Sequence, residues 1–129
     1  MTLIITPIYA AALGLMMIGL SMYVSQLRAD QDVSIGMGTD PALLERVRRH
    51  GNFVENVPMV LLLIAMAEIV GLGAVWLHAA GLILVVSRII QPMGLRHNAT
   101  FTAARLAGNL GTFAAILIPA IYILGRNFA

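Results

Sequence analysis

A chain of 129 residues, 60% of them hydrophobic and only 11% charged, with a mean hydropathy of +0.90, lies far outside the composition of a water-soluble domain. Its formal charge of +2 rests on eight arginines and no lysine, and no basic run interleaved with aromatics suggests nucleic acid. It has no cysteine, which excludes a disulfide, a Cys-held metal, and thiol chemistry that does not bring its own thiol.

At this length the chain makes one domain, residues 1–129, with room for about four spans of roughly 20 residues and short loops. The first apolar segment, about residues 7–27, opens with Pro7, where a missing N–H costs least, and stops at Arg28. It has no charged leader and no small-residue cleavage signal, so it reads as a retained span. Residues 29–40 are polar and carry Gly36 and Gly38, which makes them a loop. Asp40 before Pro41 then forms an N-cap with proline at the first helical position. A second helix is predicted over residues 41–70, and Gly71 and Gly73 mark a tight connection to a third over 74–93, which Pro92 and Gly94 end. After a loop over 95–102, the fourth span covers 103–124, with a kink expected at Pro119. The expected architecture is all-α, a bundle of four transmembrane helices.

The loops after spans one and three hold nearly all the arginines, whereas the Gly71–Gly73 turn has none. The positive-inside rule places those two loops in the cytoplasm and both termini on the other side, with Arg126 as the one dissenting charge.

Helix two is apolar only from Val57 to Val70, which covers about 21 Å of a hydrocarbon core about 30 Å thick. The shortfall draws Asn52, Glu55 and Asn56 to membrane depth, with Arg48 one turn further out. Helix three repeats the pattern with Ser87 and Arg88, and Arg105 opens helix four on the same side. Glu45, Arg48, Asn52 and Glu55 step by three, four and three and so share one helical face. An ionisable residue at that depth needs a partner, so Glu55 is expected to pair with Arg88 or Arg48. A single pair would suffice to tie helices together or to snorkel to headgroups. Arg48, Asn52, Glu55, Arg88 and Arg105 together exceed that need.

The segment from Glu45 to Pro58 resembles the helix-two signature of the MAPEG family, the membrane-associated proteins of eicosanoid and glutathione metabolism. Arg48, Asn52, Glu55 and Pro58 fall on that signature in order. The resemblance, strong in helix two and weaker elsewhere, suggests a bacterial-type member of the inner membrane. It implies a homotrimer of four-helix bundles that binds glutathione between subunits near the cytoplasmic end, as transferase, isomerase or peroxidase. Carried over, it gives Arg48, Asn52 and Glu55 as ligands of the tripeptide, joined by Arg28, His50, Arg88 and Gln91. Arg105 resembles the helix-four arginine held near the sulfur. Arginines suit the two carboxylates of glutathione and a glutamate its ammonium, while an arginine beside the thiol stabilises the thiolate. A lipophilic co-substrate is expected to enter from the bilayer between helices one and four of adjacent subunits. The sequence departs from several family enzymes by having Ile89, Met93 and Leu95 where they carry helix-three tyrosines.

Other residues read more plainly. Tyr9, Tyr23, Trp76 and His78 fit an interfacial belt. Glu68 reads as an interface or oligomer contact, and His97 as a solvated loop residue. Three scattered histidines make no metal site, and the eight methionines suit flexible core filling. Gly14, Gly19, Gly108 and Gly111 permit close helix approach. A small multidrug transporter would need a carboxylate within span one, and none is there. A non-catalytic trimer that binds glutathione or a lipid headgroup remains the alternative.

Overall fold

A computed structural model describes residues 2–128, Asn127 by its backbone alone. The described residues form four helices: α1 (Thr6–Asp30), α2 (Pro41–Ile69), α3 (Ala74–Gly94) and α4 (Ala103–Phe128). Each is long and apolar enough to cross a membrane, and the chain is an integral membrane protein.

Local chemistry sets the helix ends. Asp40 accepts the Ala42 N–H at 2.8 Å and fixes the start of α2, and the Gln31 amide bonds to the same carboxylate. Gly71, at φ +92°, closes α2 with paired bonds from Gly71 N–H to the Glu68 carbonyl and from Leu72 N–H to the Ala67 carbonyl. That is a Schellman turn, in which the left-handed residue costs glycine nothing. Pro92 lies inside the last turn of α3 instead of ending it, and its carbonyl accepts the Leu95 N–H. Thr102 starts α4: its hydroxyl accepts the Arg105 N–H at 3.2 Å and donates to the Gly94 carbonyl at 2.8 Å. Beyond it, α4 stays helical across Pro119.

α1 has no side-chain cap of its own and takes one from α2. Glu68 Oε1 accepts the N–H groups of Ile4 and Ile5, each at 2.7 Å. Its Oε2 accepts the Thr6 N–H at 2.8 Å and the Thr6 hydroxyl at 2.5 Å. The expected interface role of Glu68 is thus replaced by an internal one. The exposed donors of a helix start attract a carboxylate, and no other acid lies at this end.

The core of the bundle is Leu13, Phe53, Val57, Val60, Ile64, Leu77, Leu84 and Ala115, while Leu15, Leu82, Leu110, Phe113 and Ile121 face outward. Apolar side chains inside and outside are what a lipid solvent allows, since it offers no hydrophobic drive for helices to associate. Close backbone approach replaces that drive. A Cβ on Gly108 would overlap Gln91, and one on Gly111 would overlap the Ser87 side chain, so α3 and α4 pack tightly. Gly81 likewise admits the Tyr9 ring against α3. α1 touches α2 and α3 but, among the described residues, not α4, so these two helices occupy opposite corners.

Candidate functional site

Seven of the eight arginines gather at the end where α1 finishes, α2 begins and the α3–α4 loop turns. α2 brings three of them, Arg46, Arg48 and Arg49, because its first half is polar and its second half apolar. The expected pairing of Glu55 with one of two arginines resolves toward Arg48, at 3.6 Å. Both side chains are more than half exposed, at 57% and 52%. Gly51 lies beside this pair, and a Cβ there would meet only the Arg48 guanidinium and the Glu55 carboxylate at 3.6 and 3.8 Å.

Arg88 does not reach Glu55. α3 carries it into the bundle, where it is 1% exposed. Its Nη1 donates to Asn52 Oδ1 at 2.8 Å, and its Nη2 donates to the Thr112 hydroxyl and, at 3.4 Å, to the Gly108 carbonyl. Thr112 donates its own hydrogen to Gly108 at 2.8 Å, which leaves a lone pair for the guanidinium. Nε of Arg88 is buried with no hydrogen-bond partner, and no carboxylate lies within ion-pair distance among the described residues. The burial follows from sequence: Arg88 stands one residue after Ser87 and three before Gln91, on the face that packs against the glycines of α4. Gln91 itself is 2% exposed.

The remaining candidates lie around this pair of contacts. Arg28 ends α1 with a buried Nη1 that has no partner, beside a cavity of about 270 Å³ lined also by Ser25, Asp32 and Ser34. His50 is half-buried, and its side chain makes no hydrogen bond among the described residues. Arg105 is half-buried, donates to the Thr100 carbonyl at 3.1 Å, and lines a separate pocket of about 210 Å³ with Phe101, Thr102 and Asn109. The chain therefore brings together Asn52 with Arg88 and Arg48 with Glu55, and leaves Arg28 and Arg105 on the flanks.

Three further contacts escaped the sequence reading. His97, expected to be solvated, is fastened to Glu45: its backbone N–H and its Nδ1 approach Oε1 at 2.9 and 2.7 Å. Arg49 joins Glu45 at 3.2 Å to the Leu95 carbonyl at 3.0 Å, so the α3–α4 loop is tied to α2. Thr112 is the third, and its signal was a hydroxyl in the middle of an apolar run. The belt residues also have partners. The Tyr9 hydroxyl contacts His78 Nδ1 at 2.9 Å, and the Arg46 guanidinium stacks 3.6 Å from the Tyr23 ring centre while donating to that residue's carbonyl.

A bundle of four membrane-spanning helices, with a buried arginine short of a counter-charge and an exposed ion pair toward the same end, defines an integral membrane protein with a polar layer at one end. Residues 6–125 match the model of the MAPEG family, and the chain belongs to that family. It is 28% identical over 114 residues to the inner membrane protein YecN of Escherichia coli strain K12, covering 88% of this chain and 86% of that one. The YecN protein of Escherichia coli O6:H1 matches to the same extent. No solved structure matches the chain.

Proposed function

We propose that this protein binds glutathione at the polar layer of α2 and uses it as a transferase or peroxidase on lipophilic electrophiles, in the bacterial inner membrane. The family is associated with glutathione, and its members generally form trimers. The observation that carries the reading is the open Arg48–Glu55 pair beside Asn52, with the unneutralised Arg88 behind it. Glutathione has the complementary set. Its carboxylates suit Arg48 and Arg28, its ammonium suits Glu55, and Asn52 and His50 offer further polar contacts. Arg105 would hold the sulfur as thiolate by direct charge attraction, since a free thiol near pKa 8.5 is mostly protonated at neutral pH. The outward apolar faces of α1 and α4 suit entry of the second substrate from the bilayer in a trimer. The arginine-rich end would face the cytoplasm.

A second reading, binding without catalysis, is favoured by one contact: Arg105 spends a donor on Thr100 in a pocket apart from the Arg48–Glu55 pair. Turnover decides between them. Purified protein in detergent is expected to consume an aryl halide or a lipid hydroperoxide with glutathione, and Arg105→Ala to lose that turnover by about tenfold or more while still binding glutathione. Glutathione binding with no turnover of either acceptor supports the second reading; no binding at millimolar ligand ends both.

A further inference from the structure

We infer that Arg88 is a positioning residue that turns the Asn52 amide outward, so that Asn52 presents only N–H donors to the site and thereby selects an anionic group on the ligand. The inference rests on the proposed glutathione reading for the ligand's identity, but its geometric half stands alone. A guanidinium has donors and no acceptor, so whatever side-chain amide atom faces it must be the oxygen. Arg88 Nη1 lies 2.8 Å from Asn52 Oδ1, which fixes the amide orientation by chemistry. The Asn52 nitrogen then points away from the buried guanidinium, and no described side chain accepts from it. Asn52 is half-buried, on the face that also carries Arg48 and Glu55.

Two further features make the arrangement more than a tie between α2 and α3. Arg88 is held on its other side by the Thr112 hydroxyl and the Gly108 carbonyl, so it cannot swing out to the ligand. It also lacks a carboxylate, so its charge acts undiminished through the amide that it polarises. A helix tie would be better served by Asp at position 52, which would pair the buried cation directly. Asparagine keeps the orientation and leaves a donor free. The chemical class it selects is therefore a carboxylate. On glutathione that is one of two, which Asn52 shares with an arginine, the other being left to an arginine alone.

The test uses full-length protein in detergent, with three ligands: glutathione and two analogues, each with one carboxylate blocked as an ester. In wild type, blocking one of the two is expected to weaken binding by about tenfold or more, the scale of a charge-assisted hydrogen bond. Asn52→Ala should lose affinity for glutathione by a similar factor and lose most of the discrimination against that ester. Asn52→Asp should melt at a higher temperature than wild type, because the buried cation gains its counter-charge. It should also bind the ester at least as well as glutathione, because the site now repels the free carboxylate. A purely structural Asn52 would change stability in the two variants but leave the order of the three ligands unchanged in both, which would overturn the inference. If wild type binds none of the three, the glutathione reading and the selectivity both fall. The melting order of Asn52→Asp and Asn52→Ala then still decides whether Arg88 holds the amide as described: Asp no more stable than Ala would overturn that too.

Discussion

The two ends of the bundle treat charge in opposite ways: Glu68 is half-buried and satisfied, Arg88 fully buried and not. At the Gly71 end, Glu68 has both oxygens filled by four donors, three of them the backbone N–H groups that open α1. At the other end, Arg88 has no carboxylate partner among the described residues and one nitrogen with no partner at all. Lipid supplies no hydrogen bonds, so a group whose task is to hold the fold is best satisfied within the chain. A fully buried group left short of a partner is costly unless something else meets it. The contrast separates a fastening from the proposed site using two residues that hydropathy alone would treat alike.

The largest effect expected from breaking this contrast falls on the closed end. Glu68→Ala strips the start of α1 of its cap and leaves several donors unsatisfied, a loss of about 3 kcal/mol in stability. Glu68→Gln keeps one good acceptor oxygen and should lose about half as much. Thermal unfolding in detergent measures both, and glutathione affinity of the folded fraction should stay as in wild type. A Glu68→Ala protein that melts with wild type would remove the fastening from the comparison.

The open end predicts the reverse pattern. Arg48→Ala and Glu55→Gln should each weaken glutathione binding by about 1 to 3 kcal/mol in calorimetry. Their mutual pair is more than half exposed at 3.6 Å, so stability should move by less than about 1 kcal/mol. Variants at the two ends would then separate cleanly into those that unfold and those that fail to bind. Equal losses in melting and binding at Arg48 would instead make the pair a second fastening.

Much of this bundle was legible in one sequence because its signals are local. Asp40-Pro41 and Gly71 set helix ends through capping chemistry that needs no distant partner, and each span is long enough to declare itself by hydropathy. The polar face of α2 was equally visible, since a spacing of three and four places residues on one side of a helix wherever that helix goes. The partners of those residues were not. Whether Glu55 pairs with Arg48 or Arg88 depends on how far α3 is rotated, and that rotation is set by Gly108 and Gly111 of α4 meeting Gln91 and Ser87. Glu68 was misread for the same reason: the donors that it caps lie more than sixty positions away in sequence. His97 failed differently, since its attachment to Glu45 uses a backbone N–H that no side-chain pattern announces.

That last contact supplies the smallest prediction. His97→Ala removes the Nδ1 contact with Glu45 but keeps the backbone N–H bond to the same oxygen, and Arg49 still ties Glu45 to the loop through Leu95. The expected cost is about 0.5 to 1 kcal/mol in unfolding, the ordinary worth of a partly exposed pair. Glu45→Ala removes both contacts at once and leaves Arg49 without its acid, so it should cost more, by about another 1 kcal/mol. The gap between the two variants reads the joint share of the backbone bond and the Arg49 pair. If His97→Ala proved as damaging as Glu45→Ala, the imidazole would be the fastening for the loop that leads to Arg105. The arginine end would then be held as firmly by side chains as the Glu68 end, with only the layer of Arg48, Asn52 and Glu55 left open between them.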